Sequence, residues 1–183
     1  SANYDTTISV SGVNDAPVFG GIDSGVVQED VSVDLDGLLK LSGAMTIADV
    51  DVGESSFIAE SISGVYGTLS ITANGSWNYS AMDNQSAIQN LDINETLNDS
   101  FIIRSFDGTQ HTLLITIQGA EDAPIITGNF TGTVIEDETF SISGSLLISD
   151  TDSHDNPLSF VDIASTPGAN GYGNFVLSTN SWG

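Results

Sequence analysis

The feature that most constrains this chain is a short stretch that occurs twice. Gly12-Val13-Asn14-Asp15-Ala16-Pro17-Val18-Phe19 returns as Gly119-Ala120-Glu121-Asp122-Ala123-Pro124-Ile125-Ile126, an offset of 124 − 17 = 107 residues. Each copy follows an alternating apolar run and holds carboxylates before a proline. Proline has no N–H to give a ladder, so it marks the point where one strand stops and the next begins. The spacing predicts two joints, each placing acidic side chains between one small module and the next.

Composition narrows what those joints can do. The 183 residues suit two small domains, and the absence of cysteine excludes disulfides, Cys-based metal sites and a Cys nucleophile. A small module without disulfides needs another staple, and a bound metal is the natural one. Asp and Glu number 25 against two cations, Lys40 and Arg104, for a net charge of −23. Nucleic acid and anionic membranes should repel such a chain. Clustered carboxylates without basic partners repel one another, protonate, or bind a hard divalent cation through oxygen. The competing reading is a solvated acidic surface. The apolar share of 39% and the clear alternation argue against disorder. No transmembrane run and no signal peptide is evident in the sequence.

Along the chain the pattern is β throughout. Residues 4–10 alternate and resemble residues 111–117, again 107 later, so they are expected to be the last strand of a preceding repeat. Val26 and Val27, followed by Val31, Val33 and Leu35, begin the complete repeat, and Leu39, Leu41, Met45 and Ile47 continue it to Asp49-Val50-Asp51. Residues 57–62 form a further strand. Residues 66–72 and 76–79 flank Asn74-Gly75, a strong hairpin signal because both residues tolerate positive φ. Residues 86–91 hold the one helical turn expected, and residues 101–106 and 111–117 form a hairpin across Asp107-Gly108. Seven short strands separated by turn signals predict an antiparallel β-sandwich. The domain reading is 1–13 as the end of one repeat, 14–120 as a complete repeat and 121–183 as the N-terminal part of another. The counterpart of residues 79–120 does not follow, so the second module is expected to be truncated.

The ordered set Asn14-Asp15-Ala16-Pro17, Val27-x-Glu29-Asp30, Asp49-x-Asp51, Tyr66-Gly67-x-Leu69, Asn74-Gly75-Ser76-Trp77-x-Tyr79, Leu91-(x)3-Glu95-Thr96 and Phe106-Asp107-Gly108 resembles the VCBS-type repeat. That repeat is a cadherin-like module found in tandem in very large secreted bacterial adhesins of the RTX kind. The resemblance implies tandem cadherin-like, immunoglobulin-like sandwiches. Asn14 to Phe19 also resembles the linker of animal cadherins, where calcium stiffens successive modules. Glu121 departs from Asn at the second joint but can still ligate.

On this resemblance, calcium is the expected cofactor. The first joint would draw on Asn14, Asp15, Asp49, Asp51 and Asp107. The second would draw on Glu29, Asp30, Asp92, Glu95, Glu121 and Asp122, with Asp150 and Asp152 of the following module. Glu136 is the counterpart of Glu29 and would serve a further joint. Asp107 also suits the Asp-Gly turn in which it lies. His111 and His154 are expected on a strand surface and in a loop. Trp77, Trp182, Tyr79, Tyr66 and Tyr172 recur with the repeat and are expected in the core.

The functional expectation is a calcium-stiffened structural repeat of a secreted or cell-surface bacterial adhesin, supporting cell adhesion or biofilm formation. The alternative is an adhesin module that itself grips a glycan or another cell, although the longest loop, residues 80–100, has no aromatic residue. No phosphate loop, Ser/His/Asp arrangement or zinc pattern is present, and the carboxylates recur at joints rather than in one cleft, so an enzyme is not expected. The expected partners are neighbouring repeats and, through exchange of residues 4–12 with the open edge of residues 124–183, another copy of the chain. Neither nucleic acid nor membrane insertion is expected.

Overall fold

The structure is a computed structural model that describes residues 5, 7–138 and 140–179. It divides into two units, one comprising Ser1–Ile88 with Thr96–Gln118 and the other Gln89–Glu95 with Gly119–Gly183. The division falls close to the second joint, except that the loop Gln89–Glu95 belongs with the second unit.

In the first unit, β1 (Val18–Gly21) and β2 (Ser24–Gln28) are two halves of one edge segment. β1 pairs antiparallel with β3 (Leu38–Ala48), and the Ile22 N–H still reaches the Ala44 carbonyl at 2.8 Å. One residue later the Asp23 carbonyl accepts from Leu114 at 2.9 Å, in the other sheet. β2 therefore runs parallel to β8, the one departure here from the all-antiparallel sandwich the sequence predicts. The segment keeps its direction on changing sheets, and β8 runs the same way, so the two pair in parallel.

The remaining strands are β4 (Glu60–Ser63), β5 (Gly67–Ile71), β6 (Ser76–Met82), β7 (Thr96–Arg104) and β8 (Gln110–Gln118), with the four-residue helix α1 (Ser86–Gln89) after β6. They complete a five-stranded sheet, β1-β3-β6-β5-β4, and a three-stranded sheet, β2-β8-β7. The β5–β6 and β7–β8 hairpins lie where Asn74-Gly75 and Asp107-Gly108 place them, with Gly75 at φ 88° and Gly108 at φ 90°.

Alternation fixes which side chains face inward. Leu39, Leu69, Trp77 and Tyr79 from the first sheet meet Phe101, Ile103, Leu113, Ile115 and Ile117 from the second, all fully buried. Each such side chain contributes about 1.5–3 kcal/mol. Tyr79 meets Phe101 edge-on with ring centroids 5.8 Å apart, and the Trp77 indole donates to the Ile22 carbonyl at 2.8 Å. Gly43 makes room for that indole, since a Cβ there would lie 2.4 Å from the ring.

Two strand expectations fail. Val31 and Leu35 are exposed, because the chain turns at Glu29-Asp30, where Asp30 takes φ 55°. Residues 7–17 form no strand and leave Ile8, Val10 and Val13 exposed, since no neighbouring strand hydrogen-bonds to them among the described residues.

The second unit repeats the opening of the first. Its strands are β9 (Ile125–Gly128), β10 (Leu146–Ser149), β11 (Ile163–Pro167) and β12 (Asn174–Leu177). Ile125 pairs with Ser149 and Gly128 with Leu146, just as Val18 pairs with Ala48 and Gly21 with Met45. The offsets are 125 − 18 = 107 and 149 − 48 = 101 on the two strands, and the register is preserved through the six-residue shortening between them. Asp137, 107 residues after Asp30, also takes positive φ, at 61°. β11 and β12 form a separate two-stranded sheet. Tyr172 is 95% exposed, a correction to its expected core role. Its counterpart Tyr66 lies in a turn pinned by a carboxylate from β7, and no described strand of the second unit supplies such an anchor. Trp182 lies outside the described residues.

Candidate metal centres

The first joint is assembled from three loops of the first unit. Asp51 follows β3, and its carboxylate accepts the Asp15 N–H at 2.8 Å, while Asp49 accepts the Asp51 N–H at 2.8 Å. Asn14 donates to Asp107 at 3.0 Å. All five residues expected at this joint are thus connected. Asp107 is also tied by the Ser105 hydroxyl and by the Thr109 N–H at 3.0 Å. The Ser105 and Asn14 donors and the Thr109 N–H hold its carboxyl well below the usual range.

Glu54 joins them, although the sequence reading passed it over. One carboxylate oxygen from each of Asp49, Glu54 and Asp107 falls within 4.8 Å of the others. Oxygens that share one calcium at about 2.4 Å can be at most about 4.8 Å apart, so the three suit a single ion. Desolvation and the charges of Asp51, Asp49 and Asp107 raise the Glu54 carboxyl. Asp49 Oδ2 and Glu54 Oε2 are buried without a hydrogen-bond partner.

The second unit builds the corresponding arrangement. Asp152 accepts the Asp122 N–H at 2.8 Å, and Asp150 accepts the Asp152 N–H at 3.1 Å. Two overlapping triads meet there: Asp92, Glu121 and Asp152, and Asp150, Asp152 and Asp155. Asp155 was likewise not anticipated. The signal for both missed residues was legible, because Asp49-x-Asp51-x-x-Glu54 returns as Asp150-x-Asp152-x-x-Asp155 at an offset of 155 − 54 = 101.

Asp152 is 0% exposed in a unit whose apolar side chains are largely exposed. Its Oδ1 and Asp150 Oδ2 are buried and accept nothing. An unpaired charge in such a place is costly unless a cation meets it. The protein supplies little. The second unit contains neither Lys nor Arg. Lys40 pairs with Asp34, and Arg104 lies 3.9 Å from Glu60. His154, in its loop, is 2.9 Å from Glu95, and that carboxylate also receives the Asp92 N–H at 3.0 Å. The Asp92 N–H and then His154 lower the Glu95 carboxyl. Asp155 and burial raise Glu121, while burial and then Asp92, Asp150 and Asp152 raise Asp155.

The remaining candidates are Glu29, Asp30 and Glu136. Glu29 is buried at the end of β2 with its N–H on the Gln118 carbonyl at 3.1 Å, and the Asp30 N–H meets Asp83 at 3.4 Å. Among the described residues neither is in a triad, and exposed Glu136 sits in a turn. His111 lies on β8 as expected, 3.0 Å from Asp23, with its ring tilted 33° to that of Phe19 at a centroid distance of 4.9 Å. Among the described residues no helix is long and apolar enough to cross a membrane.

A search of curated proteins gives no match to this chain. The family described as Bacterial cadherin-like domain matches residues 14–119. That span is more than half of the chain and covers both sheets of the first unit, so the chain belongs to the bacterial cadherin-like domain family.

Proposed function

We propose that this chain is a calcium-stiffened structural repeat of a large secreted or surface-held bacterial adhesin, of the VCBS type found in RTX adhesins, serving cell adhesion or biofilm formation. The cadherin-like family supports a structural or adhesion-related repeat. The calcium reading rests on one observation above all: Asp152 is fully buried with Oδ1 unpartnered, shared by two triads with the carboxylates of Asp92, Glu121, Asp150 and Asp155, in a unit that has no Lys or Arg. An all-oxygen site gathering several carboxylates suits calcium, which takes six to eight oxygens in flexible geometry, better than magnesium, which prefers a stricter octahedron and keeps its waters.

The mechanism is electrostatic. Asp49, Glu54 and Asp107 in the first unit, and Asp92, Glu121, Asp150, Asp152 and Asp155 in the second, hold loops that their own charges push apart. A bound cation supplies the missing charge and joins those loops. Asp122 and Asp15 give backbone N–H groups that orient Asp152 and Asp51. Melting in chelator and in millimolar calcium tests this reading. A ligand that binds only the folded form adds about 2.7 kcal/mol at a hundredfold excess over Kd. We expect melting to rise by several degrees with calcium and less with magnesium, and small-angle scattering to give a narrower distance distribution. Identical curves in chelator and calcium would refute the calcium reading.

A further inference from the structure

The outer face of the five-stranded sheet carries no carboxylate on β3, β4, β5 or β6, in a chain with 25 Asp and Glu. Strand register sets its polar side chains in rows. Ser42 lies opposite Asn78, Asn78 opposite Ser70 and Ser70 opposite Ser61. The next row runs Lys40, Ser80, Thr68 and Ser63. Neighbours within a row stand about 4.8 Å apart, and the rows, two residues along each strand, about 6.8 Å apart.

The first row, with Lys40, Ser80 and Thr68, lines an open hollow of about 750 Å³. A second hollow of about 350 Å³ shares Thr68 and Ser80 and adds Ser63, the half-buried Tyr66 and the exposed Met82. Neither lining contains Asp or Glu. The Ser70 hydroxyl reaches the Asn78 carbonyl at 3.5 Å. The other hydroxyls of the two rows and the Asn78 carboxamide make no hydrogen bond among the described residues. Lys40 is held by Asp34, so the face is close to neutral.

We propose that this face binds an uncharged polysaccharide, with sugar hydroxyls bonded to Ser42, Thr68, Ser70 and Asn78 and an apolar sugar face against Tyr66 and Met82. Ser and Thr hydroxyls and a carboxamide each donate and accept, as sugar hydroxyls do, so a grid of them matches a polyhydroxy ligand. An anionic polymer finds no unpaired cation here and is repelled by the net charge of −23. A protein partner needs aromatic or Arg anchors seated in pockets, and the rows consist chiefly of short hydroxyl side chains. No residue of this face belongs to the carboxylate triads, so the site is separate from the calcium centres.

The test uses the whole chain. Three neutral hexasaccharides, cellohexaose, chitohexaose and isomaltohexaose, are titrated in calcium beside an anionic oligogalacturonate, with backbone amides followed by NMR. At least one neutral sugar should shift the amides of Ser42, Ser70 and Asn78 to saturation. Ser42→Ala with Asn78→Ala should weaken that binding roughly tenfold, the loss expected for two hydrogen bonds. Melting should stay unchanged, because both side chains are exposed. Ser100→Ala with Thr112→Ala, on the outer face of the other sheet, should leave the affinity as it was. Absence of saturation with all three sugars, shifts confined to the loops, or full affinity in the Ser42/Asn78 variant overturns the proposal. Stronger binding of oligogalacturonate overturns the neutral ligand. Shifts of the same amides with protein concentration alone give the face to a second copy and overturn it too.

Discussion

Asp152 accepts the backbone N–H of Asp122 at 2.8 Å, and Asp51 accepts that of Asp15 at the same 2.8 Å. The residues on one side of this bond are 107 apart and those on the other 101, so the contact survives six residues of shortening between its two ends. The bond takes up one carboxylate oxygen and leaves the other outside it. In the second unit that other oxygen is buried and accepts nothing.

This pairing allows the two centres to be separated by mutation. Asp152→Asn keeps the acceptor for Asp122 but removes the charge shared by both triads. We expect it to abolish the calcium response of the second unit while the first unit still gains stability in calcium. Isothermal titration should register the loss of the second-unit binding events only. Loss of all binding would contradict two independent centres.

Glu54 offers a test with opposite signs in two conditions. Its carboxyl is raised by desolvation and by Asp51, Asp49 and Asp107, so its charged form opposes folding when no cation is present. Glu54→Gln should therefore raise the melting temperature in chelator and shrink the gain on adding calcium. A variant that melts lower in chelator and keeps the full calcium gain would show that Glu54 is no ligand.

Asp99 is a buried carboxylate with a purely structural role. It accepts the N–H groups of Val65, Tyr66 and Gly67 at 2.8, 3.1 and 2.8 Å and the Tyr79 hydroxyl at 3.2 Å. It fastens the β4–β5 turn to β7 across the core. Asp99→Asn turns an N–H₂ group toward donors that have no other acceptor, at a cost of about 2–3 kcal/mol. Denaturant unfolding should show that loss with calcium affinity unchanged.

Tyr79 gives the pH dependence. Burial and the neighbouring Asp99 raise its hydroxyl above the ordinary value of 10.0. A raised folded-state pKa means that the folded form holds its proton longer than the unfolded chain does. The associated stability is complete below pH 10 and is lost as pH climbs beyond it. Tyr79→Phe should lower stability at neutral pH by about 1 kcal/mol through the lost hydrogen bond. It should also flatten the decline above pH 10, and equal slopes for the two proteins in alkaline denaturant titrations would contradict this account.

The repeat, the β class, the two hairpins and the core of the first unit were legible because they rest on local physics. Alternation decides the faces of β6 and β8, and Asn74-Gly75 and Asp107-Gly108 provide positive φ where a hairpin needs it. The five residues of the first joint were legible through the family resemblance and the sandwich topology rather than a local pattern, since they lie in loops that a sandwich brings to one end. Other features arose only when distant segments met. The parallel pairing of β2 depends on where an edge segment crosses between sheets, which no local pattern encodes. Val31 and Leu35 alternate like a strand, but the left-handed turn at Asp30 removes them from both sheets. Glu54 and Asp155 share the 101-residue offset with known neighbours, yet only folding shows their oxygens converging with Asp107 and Asp152. Sequence therefore determined which residues carry charge and which way each strand faces, while tertiary structure decided which charges are buried together. Burial depends on contacts between segments far apart in the chain, and it alone turns a run of acidic residues into a cluster of carboxylates with buried, unpartnered oxygens.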